Sequence, residues 1–284
     1  MRKKRQPDQH YHVLNLGAGV QSTTLALLFA EGTLTPMPHV AIFADTQEEP
    51  SYVYPHVEWL RQHCPFPIWV RTKGKLGDDL LKGQNSRGGR FASIPAFTKH
   101  ADGKRGQVRR QCTSEYKLEP IKQAVRRELL GLPKGGRVKK HITIHHYIGI
   151  SADEAGRSTK IRARCKKYEA PHFPLLELDW TRRECADWLL SRVPHQVRRS
   201  ACVFCPYRDD SEWLSLQEHD PAGWQRALEI DRALRIPGNV VNRKMNEPMF
   251  LHDSLVPLEE VVFNVSRKYE QNRFKFECVG MCGN

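Results

Sequence analysis

Apolar residues in the first two thirds of the chain fall into short runs separated by glycine-rich or acidic turns, and the repeat alternates from run to run. His12–Leu16 (HVLNL) predicts a short buried strand, stopped by Gly17 and Gly19. Ser22–Ala30 follows helical spacing, with Leu25, Leu28 and Phe29 on a shared face. A second strand is predicted over His39–Phe43, a helix over Tyr52–Gln62 and a third strand over Pro67–Val70. Strand–helix units of roughly 30 residues make a parallel, doubly wound sheet. Gly83–Gly106 is polar, basic and glycine-rich, the composition of a mobile loop over a site. Glu115–Leu130 returns to helical spacing, Gly131–Gly136 ends it, and His141–Ile150 (HITIHHYIGI) predicts another strand. Beyond Leu175 the character changes: Arg182–Leu190 and Asp209–Arg235 read as helices, with no further strong parallel strand. The expected fold is α/β, with a Rossmann-like parallel sheet in residues 1–179 and a smaller helical, cysteine-containing region in 180–284.

Composition narrows the setting. Over 284 residues, 39% hydrophobic and 27% charged content is ordinary for a globular protein and argues against global disorder. The longest apolar run, near Thr24–Ala30, is too short to span a bilayer. The basic start Met1–Arg5 is followed by no apolar signal-peptide core, so the expected location is the cytoplasm, with no membrane partner. The net charge of +13 changes the picture more. Lys and Arg cluster at Arg2–Arg5, Lys99–Arg110, Arg137–His141, Arg162–Lys167 and Arg198–Arg199, which suits a nucleic acid (tRNA or DNA) or a small anion with several phosphates. The plainer alternative is a set of solvated basic loops.

Four sequence elements carry candidate chemistry. Gly17-Ala18-Gly19-Val20-Gln21-Ser22-Thr23 joins a strand to a helix; glycines let backbone approach a ligand, and the helix start offers free N–H groups to an anion. It lacks the GxxxxGK[ST] of a Walker A loop and has Ser22 where the dinucleotide fingerprint has its third glycine. Asp45-Thr46-Gln47-Glu48-Glu49 sits at the second strand's carboxyl end, where open α/β sheets bind ligands, although an acidic helix start is an equally simple reading. Cys112 precedes a helix, beside Arg109, Arg110 and Lys117. Gly149-Ile150-Ser151-Ala152-Asp153-Glu154-Ala155-Gly156-Arg157 brings two carboxylates and an arginine to another strand end. Eight cysteines in a reducing compartment argue against a disulfide framework. Cys202-x-x-Cys205 and Cys278-x-x-x-Cys282 instead have spacings that suit metal or iron–sulfur ligation or redox exchange, while Cys64, Cys165 and Cys185 carry no pattern. Tyr207 and Arg208 offer a stacking or polyanion contact, and Trp180, Trp188, Trp213 and Trp224 lie in helix-like stretches and read as core. His141 and His145 would stand roughly 13 Å apart in a strand, so the histidines receive no role.

The ordered set of a glycine–serine loop, a strand-end D-T, C-x-x-x-x-K-x-x-P, G-I-x-x-D-E-x-x-R and C-x-x-C-P resembles the phosphoadenylyl-sulfate reductase-like branch of the PP-loop ATP pyrophosphatases. The likeness runs from about Val13 to Tyr207, plus the C-terminal cysteine tail. It implies a sheet of the adenine nucleotide alpha hydrolase (HUP) type. ATP or adenylyl sulfate, with Mg²⁺, would contact Gly17, Ala18, Gly19, Gln21, Ser22, Thr23, Asp45, Thr46 and Gly149. Asp153, Glu154 and Arg157 would stand near the phosphates. Cys112, Cys202 and Cys205 would match iron–sulfur ligands, completed by Cys278 or Cys282 or left with an open iron; a zinc knot from Cys202, Cys205, Cys278 and Cys282 is the alternative. The commoner loop of the group has a lysine that this chain lacks, so charge neutralisation would fall to Lys73, Lys75, Arg157 or Mg²⁺. The implied activity is adenylylation and thiolation of a nucleic acid or nucleotide, with a sulfur donor. Adenylyl-sulfate reduction through Cys278 or Cys282, with a reductant, is the other activity in the group. Two readings lie outside the group: a non-catalytic nucleic-acid binder on a degenerate nucleotide fold, and an NAD-dependent oxidoreductase suggested by the Gly17-x-Gly19 turn and Asp45.

Overall fold

A computed structural model describes residues 7–88, 93–99, 104–236 and 247–264. Five parallel strands form the main sheet: β1 (Gln9–Leu16), β2 (Val40–Asp45), β3 (Ile68–Thr72), β6 (Ile142–Ile148) and β7 (Glu169–His172), in the order β3-β2-β1-β6-β7. The chain winds outward from β1 to β3, then crosses to the other side of β1 for β6 and β7. This leaves a switch point between β1 and β6, where open α/β sheets have their ligand crevice.

Alternation along the strands builds one core on each face. Leu14, Leu16, Ala41, Phe43 and Tyr147 pack with α1 (Val20–Ala30) and α2 (Val53–His63). Val13, Val40, Ile42, Ala44 and Ile144 pack against α4 (Glu119–Ala124), which continues at both ends into π-helical turns, Thr113–Leu118 and Val125–Leu129. Helix α1 differs from the one-faced helix that Leu25, Leu28 and Phe29 suggested. Every residue from Val20 to Phe29 is buried, because α7 (Arg182–Leu189) covers the side that the sheet and α2 leave open. Cys185, Leu189 and Val193, beyond the boundary drawn at Asp179, thus share the core of the sheet.

The expected strands and long helices are present, each within a few residues of its predicted bounds. Two strand features were not foreseen. β7 is short, and Pro171 within it obscures the alternation. The stretch read as a loop contains β4 (Phe97–Lys99) and β5 (Arg105–Gln107), which pair antiparallel and join β8 (Met249–Phe250) in a second small sheet. That sheet, α3 (Leu76–Leu81), α8 (Asp210–His219) and α9 (Pro221–Arg235) enclose another apolar core, centred on Trp213, Tyr116 and Phe204. Trp213 and Trp224 are buried in it, and Trp180 and Trp188 pack against the first core, as their helical positions suggested. Among the described residues no helix is long and apolar enough to cross a membrane.

Candidate functional site

Two groups of predicted residues gather at the carboxyl edge of the sheet. The first lies at the switch point. After β1 the chain turns through Ala18, whose φ of 57° is left-handed, and α1 starts after Gly19. Gly149, at the end of β6, faces this turn so closely that a Cβ there would lie 2.9 Å from the backbone nitrogen of Ser22. Glycine is what lets the two segments meet. Gln21 donates from Nε2 to Ser151 Oγ and to Glu154 Oε2, both at 3.3 Å. Glu154 also pairs with Arg157. Gly17, Ala18, Gly19, Gln21, Ser22, Gly149, Glu154 and Arg157 therefore form one neighbourhood.

The second group lines a cavity beyond the end of β2. Thr46, Cys112, Lys117, Cys202 and Cys205 line it, with Leu76, Ile94 and Phe204 among its apolar walls. Cys202 and Cys205 share a tight turn, with the Cys205 N–H donating to the Cys202 carbonyl at 2.9 Å. One contact holds that turn against the sheet edge, with Val203 N–H donating to the Glu48 carbonyl at 2.7 Å, and Arg208 Nη2 braces the turn internally by donating to the Ala201 carbonyl at 2.8 Å. Arg208 is therefore buried in service of the turn, while Tyr207 lies under the Arg110 guanidinium at 5.2 Å. Thr46 Oγ1 is 3.1 Å from Cys202 Sγ, and burial pushes the Cys202 thiol well above the usual range.

A polar line connects the groups. A Cβ on Gly19 would sit 3.4 Å from the Ser200 backbone nitrogen. Ser200 Oγ donates to Glu49 Oε2 at 2.9 Å, and Lys117 Nζ donates to Glu49 Oε1 at 3.0 Å. Lys117 then reaches the cavity wall. Glu48, next in sequence, turns the other way and is fixed by Arg226 and the Gly77 N–H. Glu49 and Ser200 were not singled out as site residues; their only sequence signal is a strand-end position for the first and proximity to Cys202 for the second.

Other predicted residues stand apart. Thr23 is fully buried and its Oγ1 meets His56 Nε2 at 2.8 Å, while His56 Nδ1 meets His195 Nε2 at 2.9 Å; its hydroxyl faces away from the crevice. Asp45 accepts from the Gln47 N–H at 2.7 Å and from Tyr54 Oη at 3.3 Å, and burial raises its pKa. Asp153 is exposed and accepts from the Arg182 N–H at 3.1 Å, at the start of α7. Lys73 pairs with Glu119 at 3.5 Å and Lys75 with Asp78 at 3.9 Å. Cys278 and Cys282 lie outside the described residues. Burial raises the thiols of Cys64, to about 11, and Cys185, to about 12, consistent with structural roles.

Among the described residues, no three His, Cys, Asp or Glu side chains close on a single ion. Cys112, Cys202 and Cys205 all line the one cavity, a set of three thiols that iron and zinc both take as ligands.

Fold and site together define a parallel α/β protein of Rossmann-like order with a cysteine-lined cavity at its carboxyl edge. Compared with known proteins, the chain matches no family model and no curated sequence.

Proposed function

We propose that the chain is a PP-loop-type enzyme, resembling the phosphoadenylyl-sulfate reductases, that adenylylates and thiolates a nucleic acid or nucleotide. The observation that carries this reading is the meeting of Thr46, Cys112, Lys117, Cys202 and Cys205 around one cavity, linked through Glu49 and Ser200 to the Gly17–Thr23 turn. In this reading the sheet is of the HUP type and ATP lies at the switch point. Its phosphates meet the N–H groups at the start of α1, where the helix dipole favours anions, with Mg²⁺ adding charge. An oxygen of the acceptor attacks the α-phosphorus and pyrophosphate leaves; a sulfur nucleophile then displaces AMP.

Cys112, Cys202 and Cys205 would hold a [4Fe–4S] cluster, which supplies iron able to bind the incoming sulfur. The protein's own part is to exclude water with Leu76, Ile94 and Phe204 and to place the Lys117 ammonium on the cavity wall.

One anaerobic preparation tests the reading. Iron and labile sulfide are expected in the wild type and lost in Cys202→Ser, with pyrophosphate released from ATP only when a nucleic-acid acceptor is present. Stoichiometric zinc without iron overturns the cluster, and absence of pyrophosphate overturns adenylylation. Sulfite released from adenylyl sulfate would instead assign the site to reduction.

A further inference from the structure

The opposite edge of the main sheet carries a separate feature. β1, β6 and β7 are parallel neighbours, so all three enter the sheet from the same side. Gln9 N–H donates to the His141 carbonyl at 2.8 Å, and Ile144 N–H to the Tyr168 carbonyl at 2.8 Å. These bonds set the segments before the three strands side by side. The loop leading to β6 is tied back to its preceding helix, with Arg127 Nη1 donating to the Leu132 carbonyl at 2.9 Å and Arg126 to the Gly136 carbonyl.

The side chains presented there are mostly cationic. Arg137, Lys139, Lys140, Arg162, Lys166 and Lys167 are all exposed. Of these, Lys139, Lys140, Lys166 and Lys167 have no carboxylate partner among the described residues. Two acids stand at the same strand entries, Asp8 and Glu169, and Glu169 is engaged by the Lys166 N–H at 2.8 Å. A row of imidazoles leads away from this edge, from His10 near the start of β1 through His145 in the middle of β6 to His172, the last residue of β7. His10 Nδ1 meets His145 Nε2, and His145 Nδ1 meets His172 Nε2, each at 2.8 Å, in a chain across the three strands.

We propose that this edge is an anchoring surface for a nucleic-acid backbone, distinct from the cysteine-lined cavity. Lys139 and Lys140 come from the loop into β6 and Lys166 and Lys167 from the loop into β7, strands about 4.8 Å apart. A nucleic-acid strand carries a phosphate per roughly 3.4 Å of axis, so lysines on neighbouring loops can meet successive phosphates. Lysines act there as point charges and recognise phosphate without reading bases. Along the seven residues of β6 the cavity edge is about 23 Å away, so the bound strand is held at a second place on the molecule. The inference does not rest on the chemistry proposed for the cavity.

Fluorescence anisotropy with the full chain and a labelled single-stranded DNA of about 20 nucleotides tests it, over about 50 to 200 mM salt. The variant Lys139→Glu/Lys140→Glu/Lys167→Glu is compared with Arg61→Glu/Arg183→Glu/Arg232→Glu, which makes the same change in net charge on exposed positions of α2, α7 and α9. The edge variant is expected to lose about ten-fold or more in affinity at low salt, and its slope of log K against log salt to fall by about 2, as three lost contacts require. Circular dichroism checks the fold, and the corresponding Lys→Gln triple provides the same test if the reversed charges unfold the protein. Equal losses in the control variant would attribute binding to net charge alone and overturn the proposal, as would wild-type affinity in the edge variant or no binding by the wild type. If the edge variant loses binding to poly-glutamate but keeps its DNA affinity, the surface belongs to an acidic protein instead.

Discussion

Lys117 and Glu49 keep only 4% and 0% of their side-chain exposure and face each other as an ion pair at 3.0 Å. Removing one leaves an uncompensated buried charge. Lys117→Met is therefore expected to cost about 3–5 kcal/mol by urea denaturation, while the double variant with Glu49→Gln costs less than the sum of the two single changes. A result in which the single changes simply add would sink the coupling. Gly149 makes a different demand. A methyl group at that position would press on the start of α1 at 2.9 Å, so Gly149→Ala is expected to weaken ATP binding by about ten-fold or more, a loss read by calorimetry. Unchanged ATP affinity would show that the nucleotide does not use this turn.

At the scale of elements, α7 and α8 are started by reciprocal caps. Thr181 and Glu184 bond each other's backbone N–H groups, and so do Asp209 and Glu212. Since α7 covers the buried helix α1, the Thr181 cap supports the crevice at one remove. Thr181→Ala is expected to lower stability by about 1 kcal/mol in urea titration. Neither box was read from the sequence, although Thr or Asp followed three residues later by Glu is its local signature. The small sheet β4-β5-β8 was not legible. Its strands are two or three residues long and the third comes from a distant part of the chain, so no local repeat marks them.

Histidines set the acid response of the whole molecule. Burial lowers the pKa of His12, His56 and His146 to about 4 each, and neighbouring histidines add to the shift. Their ordinary value is 6.5, so between 6.5 and about 4 the unfolded chain binds protons that the folded chain refuses. Stability should be full above that window and fall as the pH drops through it. Asp45 and Asp231, raised by burial, act in the opposite sense, but only from about their ordinary carboxylate range upward. Urea midpoints at pH 7.5 and 5.0 check the prediction, and His146→Leu should flatten the dependence. A midpoint independent of pH in the wild type would contradict it.

Strand and helix alternation was legible because each element has a face to bury and the repeat of that face is written locally. The positions of Gly17–Gly19, Thr46 and Gly149 at strand ends followed from the same repeat. Tertiary structure alone decided which of these residues meet. It set Ser200 between the Gly19 turn and Glu49, joined Cys112 to Cys202 and Cys205 across ninety residues, and turned Thr23 and Asp153 toward other partners. It also aligned the entries of β6 and β7, so that lysines far apart in the chain share one edge. Hydrophobic periodicity specifies an element and the face it buries, whereas contacts between polar groups depend on strand order and loop closure, which no short stretch of sequence contains.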